Sequence, residues 1–236
     1  EKAKREQQAL AVETASGSDR PRAVKAGEWW KLGEHRLYCG NTSQPEFWEG
    51  VPQCAFAFAD PPYNVGADEW DAGFVWQHDW LIERAEIVAV TPGHKHLFAF
   101  ARRTEMPYRW PVACWADNGM TKGDLGFANW NIVLLFSRLP SLNRDMQDIV
   151  RVTIRTSETE ETGHRGRKPA ELMIWLLNAF TKADDPVIDP FLGSGTTLLA
   201  AEQTGRRCIG GEIDPGFCEE IISRWESLTG LEAVRL

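Results

Sequence analysis

Two short stretches of this chain bring together residue types that can do chemistry. In Ala55-Phe-Ala-Phe-Ala-Asp60-Pro61-Pro62-Tyr63-Asn64 an apolar run reads as a strand and ends in a carboxylate, two prolines and an aromatic ring. The prolines remove two backbone donors and fix φ, so the turn is rigid. It presents the Asp60 carboxylate, the Pro61 carbonyl and the Tyr63 ring together. Those groups can accept hydrogen bonds from an exocyclic amine and stack on the ring that carries it. The plainer alternative is a surface turn opened by Asp. The second stretch is Val187-Ile-Asp189-Pro-Phe191-Leu-Gly193-Ser194-Gly195-Thr196-Thr197-Leu-Leu-Ala200, a strand, a tight turn and a helix. Gly193 and Gly195 permit positive φ and close backbone approach, and the helix start near Thr196 offers free N–H groups. No Lys follows the second glycine, so it is not a P-loop, and the third glycine of the dinucleotide fingerprint is missing. Yet Cys208-Ile-Gly-Gly-Glu212 closes the next strand with an acid at the distance where ribose hydroxyls are gripped. Alone, each feature is equally a structural turn or a strand-end charge. Together they favour an adenosine-containing cofactor.

The surrounding pattern supplies elements to position these groups. Ala55–Ala59, Leu97–Phe100, Val112–Trp115, Ile132–Phe136, Val187–Asp189 and Cys208–Ile213 read as strands. Phe74–Val90, Lys168–Thr181, Thr196–Thr204 and Pro215–Leu228 read as helices. The alternation implies an α/β fold with a mostly parallel, twisted sheet covered by helices on both faces. In a nucleotide-binding sheet the glycine turn normally follows the first strand. Only 41 residues follow Gly195 here, so the remaining strands come from the N-terminal portion and the unit order is circularly permuted. Residues 1–27 are polar and read as a short helix plus linker ahead of a domain over 28–236. Arg138–Arg167 is polar and weakly patterned, a long loop or small insertion.

Composition narrows the class. Hydrophobic residues make up 43% and charged residues 25% of the 236, as in an ordinary globular chain with room for a sizeable core. The longest apolar runs, Cys54–Ala59 and Leu172–Leu177, have six residues each, against roughly 20 for a bilayer span. Glu1–Gln8 holds no apolar signal core. A soluble protein of the cytosol is therefore expected. The net charge of −8 lacks the basic excess of a small nucleic-acid binder, so any such contact must be local. Five scattered cysteines without a CxxC point to neither a disulfide framework nor a zinc site. Cys114 and Cys208, in apolar stretches, read as buried hydrophobes. His94 and His96 read as turn residues, and no metal is expected. The 11 tryptophans are read mostly as core, although base-stacking sites also use aromatics. Trp70, just beyond Asn64, is a candidate for the wall of such a site.

Four motifs in order extend the picture: Asp60-Pro61-Pro62-Tyr63, then Lys168-Pro169 with Leu172 opening a helix, then Asp189-Pro-Phe191-Leu-Gly193-Ser194-Gly195-Thr196-Thr197, then Gly211-Glu212-Ile-Asp214. Trp30-Lys-Leu-Gly-Glu-His-Arg-Leu-Tyr-Cys-Gly40 precedes them. This series resembles the S-adenosylmethionine-dependent amino-methyltransferases of DNA, the N6-adenine and N4-cytosine group, in the permuted β-class order. The resemblance covers about Trp29 to Trp225. It implies a circularly permuted Rossmann-like fold, S-adenosylmethionine as cofactor and a cytoplasmic enzyme, bacterial or phage-encoded. It also implies that Phe191, Gly193 and Gly195 pack around the methionine part of the cofactor, and that Glu212 holds the ribose. Lys168 falls in a cofactor-binding motif. Asp60, Asp189, Ser194, Thr196, Thr197 and Asp214 complete the implied cofactor set. Where the family has Gly-Asp, its Asp reaching the cofactor's adenine, this chain has Gly40-Asn41, so retained but weaker binding is expected there.

The implied reaction is an in-line methyl transfer to the N6 amine of a flipped adenine. Asp60 and the Pro61 carbonyl would draw its nitrogen toward a more nucleophilic geometry, Pro62 would hold the turn and Tyr63 would stack on the base. A 5-methylcytosine route needs a nucleophilic Cys, usually after Pro, and none of the five cysteines follows Pro. Transfer to N4 of cytosine, transfer to adenine in RNA and an inactive cofactor- or DNA-binding subunit are the alternatives. A hydride-transfer dehydrogenase fits poorly. DNA is the expected partner. Arg138–Lys168 holds seven basic residues, Arg144, Arg151, Arg155, Arg165 and Arg167 among them, against five acidic ones. It falls where the family places its target-recognition region. So short a segment implies a short or relaxed site, or help from a homodimer partner or a second specificity subunit. Arg102 and Arg103 are further candidates for phosphate contact.

Overall fold

The computed structural model describes residues 2–16, 23–62, 74–118, 121–123, 126–142, 146–153 and 168–236. Five strands form a parallel centre, in the order β2 (His35–Cys39), β11 (Arg207–Glu212), β10 (Pro186–Asp189), β3 (Cys54–Ala59) and β4 (Ala85–Val90). Next to β4 runs β8 (Trp130–Phe136), antiparallel to it. Then come β5 (Tyr108–Ala116), antiparallel to β8, and the edge strand β9 (Ile149–Val152), parallel to β5. On the other side β1 (Trp29–Leu32) pairs antiparallel with β2, and β12 (Val234–Arg235) pairs antiparallel with β1. A separate ribbon joins β6 (Thr121–Gly123) to β7 (Gly126–Ala128).

The central strands are apolar on both faces, as parallel strands covered on both sides must be. Alternation along them separates two cores. Leu37, Cys39, Phe56, Phe58, Ile87 and Val187 meet α1 (Lys2–Thr14), α5 (Ala170–Phe180), α6 (Thr196–Thr204) and α7 (Pro215–Thr229). Tyr38, Ala57, Ala59, Val88, Val90 and Ile188 meet α2 (Pro45–Trp48), α3 (Leu81–Arg84) and α4 (Leu97–Arg103). The expected doubly covered α/β sheet is thus present, and so is the permuted order. β10, which carries the glycine turn, lies between its chain successor β11 and the much earlier β3. Open α/β sheets bind ligands outside the carboxyl ends of their strands at such a reversal.

Two element assignments change. Leu97–Phe100 is the start of helix α4 rather than a strand. Leu97 and Phe100, three apart, face the core while Phe98 between them is exposed, which is helical rather than alternating burial. Phe74–Val90 is not one helix. It holds the single turn α3 and then β4, whose Ala-Glu-Ile-Val-Ala-Val sequence is buried at every position but Glu86. A strand enclosed on both faces loses the period-2 signal, so a short apolar run reads as either type. The segment from Arg138, read as loop or insertion, contributes β9.

The N-terminal helix packs on the domain. Ala9 and Val12 of α1 are buried among residues of α5 and α6. Arg224 of α7, fully buried, donates from Nε to the Ala15 carbonyl (3.0 Å) and from Nη2 to the Val12 carbonyl (2.8 Å). A guanidinium thereby satisfies backbone acceptors at the end of α1 that the helix leaves open.

Candidate active site

Asp60 follows the last residue of β3, at the carboxyl edge of the sheet, and is partly buried. Pro61 is buried behind it. Lys168 Nζ lies 2.5 Å from Asp60 Oδ2, and the Thr91 hydroxyl donates to Oδ1 at 2.5 Å. Thr91 stands at the matching end of the adjacent strand β4, and its backbone N–H also bonds the Ala59 carbonyl (3.0 Å). The carboxylate is therefore held on both oxygens by groups from two other parts of the chain. Tyr63, Asn64 and Trp70 lie outside the described residues.

One strand over, the glycine turn closes on the neighbouring acid. Gly193 N donates to Glu212 Oε2 (2.8 Å) and Asp214 N to Oε1 (2.9 Å). Gly195 has φ of 81°, and a Cβ there would stand 2.9 Å from Ile221 Cγ1, so both its conformation and its packing require glycine. Gly211, just before Glu212, lets Thr42 approach; a Cβ would stand 2.1 Å from Thr42 Cγ2. Asp189 is buried and accepts from Phe191 N (2.8 Å), while the Thr197 hydroxyl donates to Met173 Sδ at 3.3 Å. Burial lifts the carboxyls of Asp189 and Glu212, each to about 7. Hydrogen bonds oppose the shift in both, while the charges of Asp60 and Glu212 add to it at Asp189. Three acidic side chains thus stand at the carboxyl ends of three adjacent strands, β3, β10 and β11, an arrangement suited to a cationic ligand.

The segment after β2 joins the same place. Gly40 N bonds the Glu212 carbonyl (2.8 Å), which sets Asn41 beside the acid. Asn41 is exposed, and its Oδ1 accepts from Ser43 N (3.0 Å) and Ser43 Oγ (2.8 Å). Thr42, buried, donates to the Pro190 carbonyl (3.0 Å), and its Oγ1 lies 3.0 Å from Nε2 of buried His78. The His78 ring packs 4.5 Å from that of Phe191, beside Phe74, Trp76 and Trp80. Burial pushes the imidazole down to about 4, so it is neutral.

The other expected residues are placed as follows. Ser194 Oγ and Thr196 Oγ1 lie 3.4 Å apart at the start of α6, and the Ser194 carbonyl accepts from Arg224 Nη1. Asp214 is the N-cap of α7, with Oδ1 accepting from Gly216 N and Phe217 N. Arg102 and Arg103 are exposed in the last turn of α4, and Arg151 is exposed on β9 with Asp117 at 3.8 Å. Arg144, Arg155, Arg165 and Arg167 lie outside the described residues. All five cysteines are buried and free, Cys114 and Cys208 among them.

Thr42, His78, Thr91 and Arg224 were not anticipated. Thr91 would have emerged had β4 been read as a strand, because it then ends beside Asp60. His78 stands in the aromatic-rich Trp76-Gln-His-Asp-Trp80, where composition alone marks a packed site. Arg224 gives no local signal.

A family profile described as DNA methylase, of the N6/N4 methyltransferase type, matches residues 100–223, more than half of the chain. The type II methyltransferase M.HindIII of Haemophilus influenzae is 36% identical over 114 residues, which are 48% of this chain and 31% of that protein. The type II methyltransferase M.Cfr9I of Citrobacter freundii is 36% identical over 177 residues, 74% of this chain and 49% of that protein. The chain thus spans less than half the length of these relatives. Among solved structures, the M1.HpyAVI–SAM complex superposes with a TM-score of 0.61 at 17% identity, covering 78% of this chain and 96% of that one. The cytosine-N4-specific PvuII DNA methyltransferase superposes at 0.57 and 16% identity, covering 83% and 93%. These likenesses carry the fold. The profile carries the family: with its acidic and glycine turns on adjacent strands, the chain belongs to the N6/N4 group of DNA methylases.

Proposed function

We propose that this chain binds S-adenosylmethionine in the crevice at the ends of β10, β11 and β2 and methylates the exocyclic amine of a DNA base, adenine N6 in the first instance. The observation that carries this reading is the meeting of Asp60, Asp189 and Glu212 at one edge of the sheet, from segments far apart in sequence. The residues fit such a cofactor. Buried acids suit its sulfonium and ammonium charges, Glu212 suits a ribose diol and the glycine turn admits close backbone contact.

When bound, the cofactor supplies an electrophilic methyl group. The protein's work is alignment and electrostatics. Asp60 and the Pro61 carbonyl accept the amine's N–H bonds and direct its lone pair toward the methyl group. Thr91 and Lys168 fix the Asp60 carboxylate, and Lys168 yields Oδ2 as the amine arrives. Asn41 binds near the cofactor's adenine, and Tyr63 stacks on the flipped base. Arg102, Arg103 and Arg151, with Arg144, Arg155, Arg165 and Arg167, contact DNA phosphates. The segment 138–167 reads a short target, alone or with a second subunit.

A cytosine target is the second reading, favoured by the shared fold of the N4-specific PvuII enzyme. Incubation with labelled S-adenosylmethionine and unmethylated mixed-sequence DNA, followed by nucleoside mass spectrometry, tests both. N6-methyladenine supports the first reading and N4-methylcytosine the second. Cofactor binding without a methylated nucleoside overturns both. Asp60→Ala is expected to abolish product while the protein remains folded.

A further inference from the structure

Beyond Thr91 the carboxyl edge of the sheet carries aromatic surface that the site above does not use. β8 runs antiparallel to β4 with Val90 opposite Leu134, so Trp130, four residues earlier on β8, stands past the end of β4. Trp115 lies directly opposite Trp130 on β5, and Arg151 lies opposite Trp115 on β9. Residues opposite one another share a face of the sheet. Trp115 is 39% exposed and Trp130 40%, two flat faces paired on one side of the sheet and open to a stacking partner. The ring of His94, in the turn leading into α4, lies 4.7 Å from that of Trp130. Two residues after that turn Phe98 is 74% exposed, the highest value among the large apolar side chains described.

Charge narrows the occupant. Lys95 precedes α4 and Arg102 and Arg103 close it, in a chain of net charge −8. Arg151, 75% exposed at its side chain and 3.8 Å from Asp117, stands beside them. Aromatic faces interleaved with cations are the composition that binds unpaired nucleic acid, because every base has a π-face and every linkage a phosphate. Trp130 stands two strands from β3, roughly 10 Å across the sheet, a separation that about three base steps cover.

We propose that Trp115 and Trp130, with His94 and Arg151 beside them, form a stacking surface for unpaired bases next to the target base. The surface holds the strand open while Asp60 engages the target. This rests on the methylase reading of the Asp60 site. It gives the protein a preference for locally melted DNA over intact duplex.

The test uses the full chain and one short fluorescent oligonucleotide sequence as single strand, as duplex and as duplex with a central mismatched bubble. The wild type is expected to bind bubble and single strand more tightly than duplex. The W115L/W130L variant keeps apolar bulk but loses the flat faces. Its affinity for bubble DNA should fall roughly tenfold, with duplex affinity and calorimetric S-adenosylmethionine affinity unchanged. W130F should retain most of the preference. Leucine variants that bind cofactor normally and keep the bubble preference would overturn the proposal. So would an equal loss on duplex and bubble, or a changed oligomeric state with unchanged strand affinity. If the wild type methylates no DNA, the methylase reading fails by itself, and the bubble preference still decides whether the surface exists.

Discussion

Thr91 donates its hydroxyl to Oδ1 of Asp60 at 2.5 Å from the end of the neighbouring strand, so the orientation of the acidic turn is set by β4 as well as by its own prolines. A charge-assisted hydrogen bond of this kind contributes about 1.5–3 kcal/mol. Thr91→Val keeps shape and burial but removes the donor. We expect kcat to fall about tenfold to a hundredfold with the cofactor's dissociation constant within about twofold of wild type. Thr91→Ser should recover most of the rate. Steady-state kinetics on methylated product, beside calorimetric titration of cofactor, check this. Equal rates for the Thr91→Val variant and the wild type would remove Thr91 from the mechanism.

The raised carboxyls of Asp189 and Glu212 predict a pH dependence of cofactor binding. Both sit at about 7 against unperturbed values near 4, because burial disfavours the charged form. A cationic ligand favours the ionised acids, so its binding releases protons near neutrality. Affinity should rise as pH increases from about 6 to 8 and level off above. The proton count comes from calorimetry in buffers of different ionisation enthalpy. Glu212→Gln should flatten part of the slope. An affinity independent of pH over this range would contradict the arrangement.

Stability without ligand should follow the same groups with opposite signs. For Asp189 and Glu212 the folded value lies above the unfolded one, so their contribution is fully present below about 4 and is lost as pH rises through about 7. For His78 the folded value, about 4, lies below the unfolded value near 6.5. Its contribution is present above about 6.5 and is lost as pH falls through about 4. Between about pH 4 and 6.5 the two acids outweigh the one imidazole, so the contribution of these three groups to the ligand-free protein's stability should fall as pH rises. Thermal melts across pH 4 to 8 check this, and His78→Phe should steepen the fall with rising pH.

Much of this site was legible in the sequence because its parts are local. An apolar strand ending in Asp60-Pro61-Pro62 and a strand–glycine turn–helix from Asp189 to Thr197 each announce their own backbone. The position of Gly195 near the C-terminus implied the permuted strand order that the sheet has. What escaped depends on neighbours. β4 is enclosed by β3 and β8 on its edges and by helices on its faces, so its alternation vanished and Thr91 with it. The short helix α4 was hidden because Leu-Phe-Ala-Phe suits either period over four residues. Arg224 is invisible for another reason: its acceptors are carbonyls of Val12, Ala15 and Ser194, and carbonyls leave no mark in a sequence.

The Thr42 hydroxyl has one proton, and the Pro190 carbonyl, an acceptor only, receives it. The contact with His78 Nε2 must then run from the imidazole to Thr42, which assigns the Nε2–H tautomer. His78 Nδ1, buried, has no hydrogen-bond partner among the described residues. The chain His78 to Thr42 to Pro190 ties the segment after β2 to the turn bearing Phe191. Thr42→Val leaves the Pro190 carbonyl and the His78 N–H unmatched, and we expect cofactor affinity to fall about fivefold to thirtyfold. His78→Phe keeps the ring against Phe191 and should lose less, whereas His78→Gln can restore a donor to Thr42. Calorimetric cofactor titration of the three variants tests the order. A Thr42→Val protein with wild-type affinity would show the tie to be idle.

Arg224 gives the last and largest expected effect. Its guanidinium is fully buried and donates to three carbonyls, two at the end of α1 and one in the glycine turn. Arg224→Met fills similar space with no donors and removes all three hydrogen bonds, at about 1–3 kcal/mol each. A loss of about 3 kcal/mol or more is expected, which for a chain of this size lowers the melting temperature by roughly 10 °C. Arg224→Lys, a point charge without the fork, should fall between. Because one of the acceptors is the Ser194 carbonyl, the Met variant should also bind S-adenosylmethionine more weakly at a temperature where it remains folded. Removing α1 gives the separating control. If the glycine turn depends on Arg224 directly, a chain lacking residues 1–16 loses stability but keeps most of its cofactor affinity. If both fall together, α1 itself braces the turn, and Arg224 is the link through which it does so.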